Sequence, residues 1–288
     1  SALSVTGSLN TNASSCFALS AGTVTIGAGG VLTANASTIT VNGSGTVWNS
    51  NNATATFTPG TSTVNFTSTG TVTVGSLAAN RLFYNLGVAT AGTTITISGG
   101  SALVIYSNVV TLGTGSVSGG TLYNSGSTSG DPFVNAGATL TTILTFFRTA
   151  AMNMPATTTT QACNFSSTGT GYTVTMTGNL SCGQLAVTDT NAAQTVTLNT
   201  SASNYSITAS GTTALTLGSA GAGHGVIIAN GSLVSLTGNV NIATVSAYIN
   251  FGSSTWTVTG TWTNATTSTS WDAGSATVTF TSATGGTM

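Results

Sequence analysis

The chain of 288 residues has no lysine and no glutamate, and charged side chains make up 2% of it, against a usual value of about 25%. Apart from its cysteines and tyrosines, the ionisable side chains are few enough to name: Arg81, Arg148, Asp131, Asp189, Asp272 and His224. A net charge of −1 leaves no basic patch to displace counterions from phosphates, so nucleic acid is excluded as a partner. With 40% hydrophobic residues and a mean hydropathy of +0.36, the chain lies outside the highly charged kind of disorder and is expected to fold.

Long apolar runs are missing too. The most apolar window, Leu140–Phe147 (LTTILTFF), is interrupted by threonine and falls short of the roughly 18 residues that a membrane span needs, so no span is expected. No basic segment followed by an apolar stretch opens the sequence, and Ser1 reads as the start of a processed protein or as a boundary within a longer one. Three cysteines, Cys16, Cys163 and Cys182, are too few for a disulfide framework and lack the paired spacing of a zinc site. A Cys163–Cys182 bridge is expected in an oxidising compartment, with a pair of buried free thiols as the alternative and Cys16 left over.

The same scarcity excludes most chemistry. Glycoside hydrolysis and general acid/base work need carboxylates close together or a cationic base beside one, and the aspartates here are far apart in sequence. Asp131 precedes a proline and Asp189 sits in TDTN, both read as turn residues that bond their own backbone. His224, in GAGHG, reads as a lone turn histidine. The serines and threonines have no local partner able to activate them, and GAGG at Gly27–Gly30 and SGG at Ser98–Gly100 lack the lysine and the strand-to-helix context of a phosphate loop. No catalytic, cofactor-binding or metal-binding residue is assigned, and the protein is not expected to be an enzyme.

What the sequence has in abundance is short alternation. Val24/Ile26, Leu32/Ala34, Ile39/Val41, Ala55/Phe57, Val64/Phe66 and Val72/Val74 recur about every eight residues, with Thr, Ser and Asn between the apolar positions; period two places each pair on one face of a strand. From Tyr172 to Phe280 the pattern continues with a step nearer ten. Taken in threes these strands make a coil of roughly 24 residues, the size of a β-solenoid rung. The fold class is therefore all-β, a parallel β-solenoid of Thr/Val-rich strands, with a β-sandwich that donates a terminal strand (Ser1–Leu9 or Thr277–Met288) as the alternative.

Three blocks repeat in order: Ser37–Gly43 (STITVNG) with Ser254–Gly260 (STWTVTG), Gly45–Asn49 (GTVWN) with Gly260–Asn264 (GTWTN), and Pro59–Phe66 (PGTSTVNF) with Ala273–Phe280 (AGSATVTF). The second copy reaches Met288 in mid-unit, so either the natural protein continues or something else completes its last strands. Between the two β halves, residues 1–130 and 162–288, the segment 131–161 departs from the pattern: it holds Pro132 and Pro155, and Leu140, Ile143, Leu144, Phe147, Ala151 and Met154 fall at spacings of three and four. It reads as an irregular junction or lateral plug, with a short helix and a strand pair both open.

Asn-X-Ser/Thr tripeptides begin at Asn12, Asn35, Asn42, Asn52, Asn65, Asn164, Asn179, Asn199, Asn204, Asn230 and Asn264. Together they suit a surface solubilised by N-linked sugar in place of charge, the competing reading being asparagine in turns. Trp48, Trp256, Trp262 and Trp271 could stack on sugar rings, but recurring tryptophans at strand positions more often fill cores or subunit interfaces.

The stretches Gly45–Asn49, Gly60–Val74 and Phe83–Leu86 (FYNL), with the partial second copy Gly260–Phe280, resemble the β-helical repeat regions of large secreted microbial surface proteins and adhesins. That resemblance implies a right-handed parallel solenoid on the outside of a cell, with structural or adhesive duty; the segment 131–161 is where the chain departs from it. One physical feature points the same way. Soluble β proteins guard strand edges with lysine, inward charge or proline, and Pro59–Val74 (PGTSTVNFTSTGTVTV) has almost no guard. Edges left open suit occupation by copies of the same chain, and head-to-tail contacts that do not close give a filament. The expected function is an extracellular filament, sheath or fibrous adhesin, a homopolymer with surface glycans as a further partner. A pilin-like subunit and a carbohydrate-binding or polysaccharide-degrading β-helix are the alternatives.

Overall fold

A computed structural model describes residues 1–75, 81–88, 90–98, 104–167, 169–189, 194–219, 224–243, 246–264 and 270–281. The chain divides into two compact units, Ser1–Ser125 with Pro132–Ile143, and Gly126–Asp131 with Leu144–Met288. Both are all-β and built by parallel stacking. Among the described residues no helix is long and apolar enough to cross a membrane.

The second unit has three faces. One stacks Ala162–Ser167, Gln184–Asp189, Thr213–Leu217, Asn239–Ile242 and Trp262–Asn264 upon the end of Thr139–Arg148. The other two are six-stranded sheets, running from Met152–Met154 to Ser270–Asp272 and from Thr157–Thr158 to Thr277–Phe280. A coil visits each face once, and its length varies with its turns: 19 residues separate the bonded pair Thr145 and Asn164, and 30 separate Asp189 and Ser219. Because the strands lie in register, inward side chains form columns. Leu144, Cys163, Leu185, Leu215, Val240 and Trp262 make one. Met152, Val174, Leu198, Ile227, Ile249 and Trp271 make the second, and Cys182, Ala209, Leu236, Val258 and Phe280 the third.

The first unit follows the same rule. Leu3, Val24, Trp48, Val72 and Ile97 form one column, and Leu19, Ile39, Val64, Leu86, Val110 and Phe133 another. A short third face of Ser8–Asn10, Val31–Thr33 and Thr56–Thr58 contributes Leu9, Leu32 and Phe57. Trp48 fills the middle, with Phe57 at 4.9 Å and Phe83 at 5.2 Å between ring centroids. Burying each such side chain contributes about 1.5–3 kcal/mol, and the outward Thr, Ser and Asn cost nothing because they stay wet.

Parallel pairing in every described register excludes the antiparallel sandwich alternative. Of the two readings left open for the segment 131–161, strands are what forms: Phe133–Asn135, Thr139–Arg148, Met152–Met154 and Thr157–Thr158. In Thr139–Arg148 the side chains of Leu140, Thr142, Leu144, Phe146 and Arg148 are buried in strict alternation. The spacings of three and four arose because Ile143 and Phe147 are apolar on the opposite face.

Candidate functional site

The chemistry-bearing residues come to rest as structural parts. Asp131 is exposed and accepts Asn153 Nδ2 at 2.8 Å; Asp272 Oδ1 accepts the Gly274 amide at 3.1 Å, an Asx-type turn. Asp189 and His224 correct the turn reading. Asp189 closes the strand Gln184–Asp189 as a fully buried, inward residue, and His224 opens His224–Ile228. The glycines around His224 and the polar TDTN around Asp189 hid the strand ends. Arg148 is fully buried and donates from Nη2 to the Thr128 carbonyl; burial pulls its pKa below the ordinary guanidinium value, opposed by Tyr172. Arg81 lies with its guanidinium carbon 4.8 Å from the centre of the Tyr106 ring. No three His, Cys, Asp or Glu side chains gather among the described residues.

The asparagine motifs divide by exposure. Asn12, Asn42, Asn52, Asn179, Asn204 and Asn264 are exposed, whereas Asn35, Asn65, Asn164, Asn199 and Asn230 are half-buried. The Nδ2 groups of Asn35, Asn164 and Asn230 are already spent on neighbouring coils. Asn12, Asn35, Asn204 and Asn230 hold positive φ, a conformation that asparagine tolerates better than most residues. Cys163 and Cys182 are both buried free thiols.

Apolar side chains collect at the outermost described coils of the two units. In the second unit the last described members of the three inner columns are aromatic: Trp262, Trp271 and Phe280. Trp262 stacks with Phe251 at 6.4 Å and meets Phe280 edge-on at 6.2 Å. Trp271 remains 48% exposed and Val278 37% exposed. With Ala273 and Ala276 these residues line an apolar hollow of about 170 Å³. Among the described residues, the strands Trp262–Asn264, Ser270–Asp272 and Thr277–Phe280 pair on one edge only.

A polar atom marks the same place. Trp48 Nε1 donates to Ser50 Oγ at 3.2 Å and Trp256 Nε1 to Ser254 Oγ at 2.7 Å, but Trp262 Nε1, though buried, has no acceptor among the described residues. A buried donor left unmatched costs about 1–3 kcal/mol. In the first unit the outermost coil of Ala2–Val5, Ser8–Asn10 and Leu19–Ala21 likewise pairs on one edge only among the described residues. It starts the three columns with Leu3, Leu9 and Leu19, all half-buried, and Phe17 beside it is 62% exposed. Alternation placed Phe280 inward, but Leu3, Leu9 and Leu19 lie before the stretch where the pattern is read, and which coil stands outermost was not written in any local pattern.

No protein-family model matches the chain, and no curated protein and no solved structure matches it.

Proposed function

We propose that the protein is a non-enzymatic structural component of an extracellular or cell-surface assembly, in which copies stack head to tail through their outermost coils. The observation that carries this reading is the aromatic coil Trp262, Trp271 and Phe280, whose outer edge and whose Trp262 N–H find no partner among the described residues. A second copy offering Leu3, Leu9 and Leu19 brings apolar residues from each of three faces to meet the three aromatics, and its strand edge, unpaired among the described residues, supplies main-chain partners. Such a contact repeats without closing and propagates a fibre. Placement outside the cell is supported by the resemblance to secreted repeat proteins and by the exposed Asn-X-Ser/Thr sites.

The test is electron microscopy of the purified chain together with light scattering over a range of concentrations. Fibres of uniform width, or oligomers that grow with concentration, are expected. A single monomeric species at the highest concentration reached overturns the proposal.

A further inference from the structure

Cys163 lies in Ala162–Ser167 and Cys182 ends Leu180–Cys182, with Tyr172–Met176 between them. These strands are the first, third and second sides of one coil. The chain leaving Cys182 climbs directly onto the strand that holds Cys163: the Gly183 amide donates to the Gln161 carbonyl at 2.9 Å, Gln184 pairs with Ala162 and Leu185 with Cys163. Both side chains point inward, Cys163 fully buried and Cys182 nearly so, and the neighbouring Cys182 thiol, with burial, pushes the Cys163 pKa up. Cys16 belongs to another coil, half-exposed, its thiol turned towards the Ala13 carbonyl.

We propose that Cys163 and Cys182 are an oxidative modification site at which a disulfide joins the first and last strands of one coil and closes that coil into a covalent ring. The co-reactant is a small-molecule or protein disulfide. One cysteine thiolate attacks a donor sulfur, giving a mixed disulfide and releasing one donor thiol; the second thiolate displaces the other donor thiol. The protein is oxidised by two electrons, the donor disulfide is reduced to two thiols, and the two cysteine protons end on them. Leu144 and Leu185 flank Cys163 in its column, so a donor reaches these sulfurs only while the coil is open. Oxidation therefore accompanies folding, and the finished bond is sheltered from reductant.

The site is independent of whether copies assemble, and it is tested on the whole chain. The protein is refolded in a mixture of reduced and oxidised glutathione, alkylated under denaturing conditions and mapped by mass spectrometry without reduction. Expected are one bridged peptide pair containing Cys163 and Cys182, an alkylated Cys16, and a melting temperature about 5–10 °C above that of protein refolded with reductant. The C16S variant keeps that difference and the C163S/C182S variant loses it. Alkylation of all three cysteines after oxidative refolding, a bridge that includes Cys16, or a redox-dependent melting temperature that survives in C163S/C182S overturns the proposal.

Discussion

Asn230 donates from Nδ2 to Asn199 Oδ1 at 2.9 Å, one coil below it, and the first unit repeats the contact where Asn35 Nδ2 reaches Asn10 Oδ1 at 2.8 Å. Both donors hold positive φ, 50° and 51°, and both also reach a threonine hydroxyl, Thr200 or Thr11, which in turn donates at 2.8 Å to the carbonyl of Ala229 or Ala34. One corner design thus serves both units. It is satisfied between coils, which is how a solenoid with almost no ion pairs fixes its turns.

Replacing Asn230 by alanine removes these bonds and forces a less tolerant residue into the left-handed region. The expected loss is about 2–3 kcal/mol, combining roughly 1–2 for the backbone with about 1 for the hydrogen bonding. Asn230→Gly should cost about 1 kcal/mol, since glycine accepts the conformation freely. Urea unfolding of the two variants checks the order; equal losses would show that backbone conformation contributes nothing.

At the same corner, one coil further on, glycine is required for space as well as for conformation. A Cβ on Gly252 (φ 58°) would come within 2.4 Å of the Asn230 carbonyl oxygen, whereas one on Gly29 (φ 67°) meets nothing within 4 Å. Gly252→Ala is expected to cost roughly 3–5 kcal/mol and Gly29→Ala about 1–2 kcal/mol. Thermal unfolding separates steric clash from backbone strain by that difference.

These corners explain what the repeated blocks meant. Ser37 and Ser254 both donate to the carbonyl three residues back, Ala34 and Phe251, at 2.6 Å. Ser62 and Ala276 make the matching backbone bonds to Pro59 and Ala273. Positive-φ residues recur at Asn35, Gly60, Asn230, Gly252 and Gly274. The self-similarity is a one-coil corner used again and again, legible because asparagine, glycine and serine are demanded there by geometry. Alternation likewise gave away the inward positions from Val24 to Val74. Thr139–Arg148 stayed hidden because Thr142 and Arg148 face inward, so burial there no longer follows polarity. The meeting of Trp262, Trp271 and Phe280 depends on register between strands distant along the chain, which no local window contains.

The first unit should weaken in strong base. Burial, and then the neighbouring Tyr106 at 4.6 Å, push the Tyr123 phenol from 10.0 up to about 12. A phenol that holds its proton more tightly when folded contributes stability that is full below pH 10 and lost as pH rises towards about 12, because only the unfolded chain releases the proton in that window. Tyr123→Phe should flatten the fall. Unfolding midpoints measured between pH 9 and pH 12 would refute the assignment if the variant and the parent decline alike.

The aromatic coil predicts a separation of assembly from folding. Trp271 is half exposed and Trp256 fully buried, so Trp256→Ala should destabilise the second unit by about 3–5 kcal/mol, while Trp271→Asp should leave its unfolding within about 1 kcal/mol of the parent. In assembly the order reverses: an aspartate at position 271 would enter the apolar contact unpaired, and oligomers seen by light scattering should disappear. Salt adds a second axis. A contact built from apolar rings and main-chain hydrogen bonds has little charge to screen, so raising ionic strength from about 0.01 to 1 M, which shortens the Debye length from roughly 30 to 3 Å, should not dissolve the oligomers. Sharp dissociation with salt, or undiminished assembly of Trp271→Asp, would place the contact elsewhere on the molecule.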